Sequence, residues 1–473
     1  MTKRLLLILA SLGILLRIVP IWLMPTWYDE NFTILLARLP IDRLLAATAG
    51  DVHPPLWYLI CWPLAHIPGL PAWAVIRLPA LLFSILCLWI WWLILQNMVT
   101  SERVRLVAFG LFCLLPQQVF YAQEGRMYSL FTLLVLTAWL AILKREWCWL
   151  TLATIAMLYL HNYGLLYAAA LWVAAMIHDR HHWPDWTSAM ATAILAYLPW
   201  VLVLLGQVNG ISGSYWMLRV SLPSVLGDLA HSFFVNGELK TDMVNFAVFY
   251  GVLVWVLIWS IRRRSLDLAT AALAFIPVIL AAAISFTWQP IMLWRALIPS
   301  GAFICLILAQ PVEDLKLRPL LLLAVFFIPA LIVNLVATEI RYKWGGPVLI
   351  REDSVIDMID SQWQEGDLLY YVNDGVFVSG SVSWQHINNA IRVEPCGSVR
   401  GGLSPQTRSA LGMVTGPLPD RVTGRTWVIS AETPLNPPCE NDYLQSHGLL
   451  ETEPLECSQD TELVRSCVYL VEP

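Results

Sequence analysis

Long apolar stretches alternate with short polar connections over most of the chain. A transmembrane helix needs roughly 20 apolar residues, and we predict about eleven spans, at residues 4–25, 74–97, 105–120, 127–143, 147–160, 163–177, 187–205, 243–261, 266–286, 294–310 and 317–337. The pair at 147–160 and 163–177 is short and meets at His161-Asn162-Tyr163-Gly164. One long span there would reverse the side of every later loop, so two spans are the better interpretation.

Two connections are long enough to contain helices of their own. The first, about 26–73, holds the amphipathic TWYDENFTILLARL and the proline-interrupted DVHPPLWYLICWPLAHIPGLP. Prolines break a spanning helix, so both segments are predicted to lie in the membrane interface or dip into it. The second, about 206–242, contains the amphipathic SLPSVLGDLAHSFF.

The polar tail has a different pattern. DSVIDMIDSQW has helical periodicity, while DLLYYV, TWVIS and SCVYLV are typical of strands. We therefore predict a transmembrane domain over residues 1–340 and a small α/β domain over residues 341–473.

Composition and charge support this organisation. The chain is 58% hydrophobic and 13% charged, against about 25% charged in soluble proteins. Its net charge of −5 and its lack of a basic stripe exclude a nucleic-acid partner. Twelve basic residues fall on one predicted face and five on the other, which places the N-terminus in the cytoplasm and the tail outside it.

The cysteines point to the same orientation. Of nine, five lie in apolar segments and four in the tail, namely Cys396, Cys439, Cys457 and Cys467. An even number in the tail predicts two disulfides in an oxidising, extracytoplasmic compartment. Their spacing is unlike that of a zinc site, and we predict neither a metal nor a cofactor.

Ionisable residues collect on the predicted outer side. Most follow or precede a span: Asp29, Glu30, His53, Glu124, Arg126, Tyr128, His161 and Arg295; Arg17 and Arg77 lie within spans. A carboxylate can deprotonate a hydroxyl, and arginines can hold a phosphate and stabilise it as it leaves. The set therefore suits group transfer from a lipid-linked phosphate.

Each of these residues also has a structural interpretation. Thr26 and Asp29 match a capping box at a helix start. Arg17 and Arg77 could snorkel or pair with a carboxylate. His161 could be an interfacial hydrogen-bonding residue, and His53 could only shape a turn. Arg126 has the strongest functional interpretation, because its short loop has no other need for charge.

The order of these motifs resembles the GT-C superfamily of glycosyltransferases. It runs from Asp29-Glu30 through HPPLWYL (53–59), Arg77-Leu78-Pro79 and YAQEGRMYSL (121–130) to Arg295. Within the superfamily, residues 1–340 resemble the branch of dolichyl-phosphate-mannose protein mannosyltransferases and bacterial lipid A aminoarabinose transferases. The resemblance implies a GT-C-like α-helical polytopic membrane fold and, from the bacterial members, an inner-membrane location.

The resemblance also implies an activity. A hexose or pentose would pass from a polyprenyl-phosphate donor to a lipid, glycan or protein acceptor on the extracytoplasmic face, with inversion at the anomeric carbon. Asp29 would be the general base, with Glu30 and His53 shaping the site. Arg126, with Arg77 or Arg295, would hold the donor phosphate, and Arg17 matches an arginine in the first span. The repeat domain of eukaryotic protein mannosyltransferases is missing, so the resemblance does not support a protein acceptor.

Two other functions stay open. A transporter or flippase of lipid-linked sugars would also use outer arginines, but it would place charges along a path through the bilayer and show internal repeats. A membrane-anchored sensor or assembly protein would bind through its tail and would not depend on Asp29, Glu30 or Arg126.

Overall fold

The computed structural model describes residues 2–19, 21–22, 26–211, 220–233, 242–314, 332, 353–372, 374–393, 402–417, 424–432, 455–457 and 465–471. The predicted span at 317–337, residue 332 excepted, lies outside the described residues, as do Cys396 and Cys439.

Helices make up the part of the chain before residue 315. They are α1 (Thr2–Ile18), α2 (Tyr28–Arg38), α3 (Ile41–Gly50), α4 (Leu56–Ala65), α5 (Ala72–Met98), α6 (Glu102–Leu114), α7 (Pro116–Gln123), α8 (Tyr128–Lys144), α9 (Trp147–Leu160), α10 (Gly164–His178), α11 (Trp183–Ile211), α12 (Leu222–His231), α13 (Asp242–Arg263), α14 (Leu268–Thr287) and α15 (Ile298–Ala309). Each predicted span up to residue 310 coincides with one of these helices or with a bent pair.

Several of these helices can cross a membrane. Among the described residues, five are long and apolar enough by themselves: α5, α11, α13, α14, and α15 with the turns around it. The pair α6 and α7, bent by 46°, adds a sixth, and α8, α9 and α10 are shorter apolar helices. The chain is an integral membrane protein with a polytopic α-helical fold.

The span predicted at 105–120 is a pair of helices, α6 and α7, with a bend between them. Leu115 has an extended backbone, with φ −60° and ψ 119°, and Pro116 opens the next helix. A residue that precedes proline is disfavoured in helical conformation, so the helix breaks there and restarts in a new direction.

The chain divides into two compact units. The first comprises Met1–Met24, Arg77–Leu202 and Met217–Ile340, and the second comprises Pro25–Ile76, Val203–Trp216 and Arg341–Pro473. The second unit thus groups residues 25–76 with the tail. The predicted boundary near residue 340 stays a prediction.

In the first unit, α15 is the central element. Almost every residue from Ile298 to Ala309 is buried, and α15 packs against α6, α8 and α14. Trp91 of α5 is fully buried and meets Phe303 of α15 edge-on, with ring centroids 5.9 Å apart. The turn that precedes α15 is therefore held against a rigid core.

In the second unit, the tail forms a mixed sheet with helices. Its helices are α16 (Asp353–Gln362), α17 (Asp374–Ser383) and α18 (Pro405–Leu411), and its strands are β1 (Leu368–Tyr371), β2 (Ile391–Arg392), β3 (Val414–Thr415), β4 (Thr426–Glu432), β5 (Glu456–Cys457) and β6 (Arg465–Val471). The strand order is β3-β2-β1-β4-β6-β5. Strands β1 to β4 pair in parallel, whereas β6 runs antiparallel to β4 and β5.

The tail matches the predicted α/β domain. The helix and the three predicted strands are confirmed as α16, β1, β4 and β6. Cys457 and Cys467 form a disulfide that joins β5 to β6, and Tyr370, Val428 and Tyr469 pack around it. One of the two predicted disulfides is thus confirmed.

Candidate active site

The connection between α7 and α8 carries Glu124 and Arg126. All eight residues of α7 are buried, and three of them are glutamines. Gln118 donates to the Ile298 carbonyl at 3.3 Å, Gln123 donates to the Leu16 carbonyl at 2.7 Å, and Gln117 donates to the His231 carbonyl. These amides fix α7 against α1, α12 and α15, so the turn that follows it has a defined place.

Aromatic and basic side chains surround that turn. The rings of Tyr121 and Tyr128 are 4.7 Å apart, and the guanidinium carbon of Arg295 lies 6.0 Å from the centre of the Tyr128 ring. The Tyr128 ring is 6.1 Å from that of His161. Arg126 is 3% exposed. The structure therefore brings Arg126, Tyr128, His161 and Arg295 together within the first unit.

His161 is neutral in this cluster. Burial, together with like charge from the guanidinium groups of Arg126 and Arg295, lowers the pKa of His161 to about 3. Its Nδ1 accepts a hydrogen bond from the Tyr163 backbone N–H at 3.1 Å, which an imidazolium could not do. Nε2 therefore carries the single ring proton and is the donor that this histidine offers.

The turn that holds Arg295 is anchored to the same region. Tyr163 donates its hydroxyl proton to the Ile291 carbonyl and accepts from the Leu293 N–H at 3.1 Å. Ser285 Oγ accepts from the N–H groups of Ile291 and Met292, each at 2.9 Å. Tyr163 thus connects the two residues: its backbone N–H binds His161, and its hydroxyl binds the turn that precedes Arg295.

Arg17 and Arg77 are both buried between α1 and α5. Arg17 is fully buried and donates to Ser84 Oγ at 3.0 Å and to the carbonyls of Gly13 and Cys113, each at 2.8 Å. Arg77 is 1% exposed and donates to the Ile21 carbonyl at 3.0 Å. These contacts give both arginines a role in holding the end of α1 in place.

The predicted general base lies in the first turn of α2. Asp29 and Glu30 follow Tyr28 there, where acidic side chains complement the helix dipole. The capping-box interpretation is wrong, because the N-cap residue is Trp27 and it makes no side-chain cap hydrogen bond. Glu30 is buried, at 1% exposed, whereas Asp29 is partly exposed.

His53 lies in the connection that follows α3. Its Nδ1 is 3.8 Å from a carboxylate oxygen of Asp51, and both side chains are mostly buried. Phe32 of α2 and Tyr58 of α4 pack edge-on, with centroids 6.1 Å apart, so the helix that bears Asp29 and Glu30 is in contact with the helix that follows this connection.

The predicted site residues thus divide between the two units. Asp29, Glu30 and His53 belong to the second, and the remaining seven belong to the first. Tyr121, Tyr163 and Trp294 were not among the predicted site residues, although the Tyr121 ring lies 5.9 Å from that of Trp294 and the Tyr163 ring lies 5.5 Å from that of His161. Their positions beside Arg126, His161 and Arg295 in the chain were the available signal. Among the described residues, no group of three or more His, Cys, Asp or Glu side chains is arranged to hold a metal ion.

Comparison with known proteins defines the class of the fold. No protein-family model matches the sequence, and no curated protein is significantly similar to it. Among solved structures, the chain is similar to ArnT from Cupriavidus metallidurans in the apo state, with a TM-score of 0.62 and 12% identity over 98% of this chain and 97% of that chain. It is also similar to the same ArnT bound to undecaprenyl phosphate, with a TM-score of 0.59 and 11% identity over the same shares of the two chains.

The chain therefore has a GT-C-like fold, a polytopic helical membrane region combined with a small α/β region. The particular version of that fold is the one seen in ArnT, which it matches over nearly the full length of both chains. The resemblance found in the sequence is confirmed at the level of the fold.

Proposed function

We propose that this protein is a glycosyltransferase that moves a sugar from a polyprenyl-phosphate donor to an acceptor hydroxyl on the extracytoplasmic face. The observation that carries the proposal is the cluster of Arg126, Arg295, His161 and Tyr128. Guanidinium groups bind phosphate oxygens in forked geometry, and a neutral Nε2–H and a phenol add hydrogen-bond donors. The fold supports the donor class, because an ArnT structure contains undecaprenyl phosphate.

In the proposed reaction, Asp29 takes the proton from the acceptor hydroxyl. The acceptor oxygen forms a bond to the anomeric carbon as the bond from that carbon to the phosphate oxygen breaks, which inverts the configuration. The electron pair of the broken bond stays on the phosphate, and the polyprenyl phosphate leaves with two negative charges. Arg126 and Arg295 stabilise that developing charge.

The other predicted residues support these steps. Glu30 and His53 shape the acceptor side, Asp51 orients His53, and Glu124 fixes the turn that holds Arg126. Arg17 and Arg77 hold the end of α1 in place through their hydrogen bonds to backbone carbonyls, and Arg77 is, with Arg295, the further arginine proposed to hold the donor phosphate beside Arg126.

An Asp29→Asn variant tests the base. The purified protein would be given labelled undecaprenyl-phosphate hexoses and pentoses, together with an envelope lipid extract as a source of acceptors. We expect the variant to lose about a hundredfold or more in transfer rate, because general bases contribute about 10²–10⁴. Asp42→Asn is the matched control, since Asp42 is exposed in the first turn of α3.

The competing functions give different results. Transfer at the wild-type rate by Asp29→Asn would overturn the base assignment. Movement of the intact labelled donor across a proteoliposome bilayer, with no release of undecaprenyl phosphate, would identify a flippase instead.

A further inference from the structure

The last turn of α3 is held by side chains from distant parts of the second unit. Helices end with carbonyl groups that have no partner within the helix. Near the end of α3, three successive carbonyls accept side-chain hydrogen bonds: Ala46 from Gln406 Nε2 at 3.1 Å, Ala47 from Thr407 Oγ1 at 3.1 Å, and Thr48, which also accepts from the Asp51 N–H at 3.2 Å, from Gln207 Nε2 at 3.0 Å. Gln406 and Thr407 belong to α18, so the tail caps the helix that leads to Asp51 and His53.

The contact between α3 and α18 is close. A Cβ atom added to Gly50 would lie 2.6 Å from Ser404 Oγ and 2.7 Å from Thr407 Oγ1, so only glycine fits at the end of α3. Ser404 is the N-cap of α18 and accepts from the Thr407 N–H at 3.1 Å. The end of α3 therefore abuts the first turn of α18.

A second tail helix contacts α2, which carries Asp29 and Glu30. Helix α17 packs against α2, and Arg38 at the end of α2 donates to the Val382 carbonyl at 3.5 Å. Helix α2, which bears Asp29 and Glu30, thus contacts α17 of the tail. Helix α3, which leads to His53, contacts α18.

One buried carboxylate connects these two tail helices. Asp374 is the first residue of α17, and its side chain is 4% exposed. It accepts from Arg392 Nε at 2.6 Å, from Arg408 Nη2 of α18 at 3.0 Å and from the Leu403 N–H at 2.8 Å. Because a buried carboxylate is stable only with its partners in place, α17 and α18 are held at a fixed separation.

We propose that the tail positions the outer helices for catalysis, with Thr407 and Gln406 as positioning residues that act through the end of α3 on Asp51 and His53. This inference rests on the proposed glycosyl transfer. A reacting group displaced by about 1 Å can lose about a hundredfold in rate, so a domain that fixes α2 and α3 controls turnover without touching substrate.

Thr407→Val is the direct test, because valine keeps the shape of threonine and removes the hydroxyl. Hydrogen exchange of the full-length protein should rise in peptides covering residues 41–53. The turnover number for sugar transfer should fall about tenfold, while the dissociation constant for undecaprenyl phosphate changes less than twofold. Thr407→Ser should restore both readouts, because it restores the hydroxyl. Ser409→Ala, an exposed change on the same helix, should match the wild type in both.

The outcomes separate this inference from the proposed function. Unchanged exchange in residues 41–53 would overturn the capping role, and raised exchange with an unchanged turnover number would overturn the positioning role. A wild-type protein that transfers no sugar from any tested donor would overturn the proposed function and with it the catalytic half of this inference. If Thr407→Val does not fold, the exposed Gln406→Ala, which removes the bond to Ala46, gives the same comparisons.

Discussion

At the scale of single residues, the cluster of Arg126, Arg295, His161 and Tyr128 combines cationic and neutral groups. Two guanidinium groups next to His161 would repel an imidazolium, and burial disfavours the charged ring as well. The histidine therefore adds a hydrogen-bond donor without adding a third positive charge. In the proposed reaction, a phosphate that binds as an anion and leaves with more negative charge would be stabilised by this arrangement.

The neutrality of His161 leads to a pH prediction. The pKa of His161 in the folded protein is about 3, below the ordinary value of 6.5. The stabilisation linked to the neutral ring is therefore fully present above pH 6.5, and it is lost as the pH falls from 6.5 toward 3. From about pH 5 to about pH 8, where an ordinary histidine titrates, His161 should not. Wild type and His161→Gln should show activity profiles of the same shape. An inflection near 6.5 that only the wild type shows would contradict this assignment.

At the scale of elements, breaks in helices build the cluster. Leu115 and Pro116 break one apolar stretch, and His161 to Tyr163 break another. Gly164 makes the second break possible, because a Cβ atom there would lie 2.7 Å from the Met157 carbonyl oxygen. Polar residues at breaks can then meet inside an otherwise apolar bundle.

Gly164→Ala should therefore destabilise the protein. Overpacking against a backbone atom costs about 1–3 kcal/mol, and we expect a lower midpoint of thermal unfolding together with weaker binding of undecaprenyl phosphate. Gly251→Ala is the control, because nothing lies within 4 Å of a Cβ at that exposed helical position. Alanine there should be neutral or stabilise by up to about 1 kcal/mol. Equal effects of the two substitutions would contradict the role assigned to Gly164.

The sequence predicted these elements well where the signal is local. Apolar length located the helices at the predicted spans up to residue 310, and residue periodicity located α16, β1, β4 and β6. The alternative interpretation of Thr26 and Asp29 as a capping box is wrong, because the helix begins one residue later and its N-cap is Trp27. The bend at Leu115 was missed because the apolar pattern continues through it.

At the scale of the whole molecule, the pairing of distant segments could not be predicted. Ala47 and Thr407 are 360 residues apart in sequence, and nothing in the local pattern of either segment indicates the other. The same holds for the grouping of residues 25–76 with the tail in one unit. Of the candidate site, the sequence indicated Arg126, Tyr128, His161 and Arg295, whereas Tyr121, Tyr163 and the anchoring of the turn that holds Arg295 required coordinates.

Binding of undecaprenyl phosphate to the purified protein tests the account most directly, because it needs neither the sugar nor the acceptor. Removal of a charged hydrogen-bond partner costs about 1.5–3 kcal/mol, so Arg126→Ala should raise the dissociation constant about tenfold or more. Arg103→Ala, which removes an exposed arginine at the predicted cytoplasmic face, should leave it unchanged, and undecaprenol without phosphate should bind both proteins weakly. Equal affinity of wild type and Arg126→Ala for undecaprenyl phosphate would contradict the central claim that this cluster holds the phosphate of a lipid-linked donor.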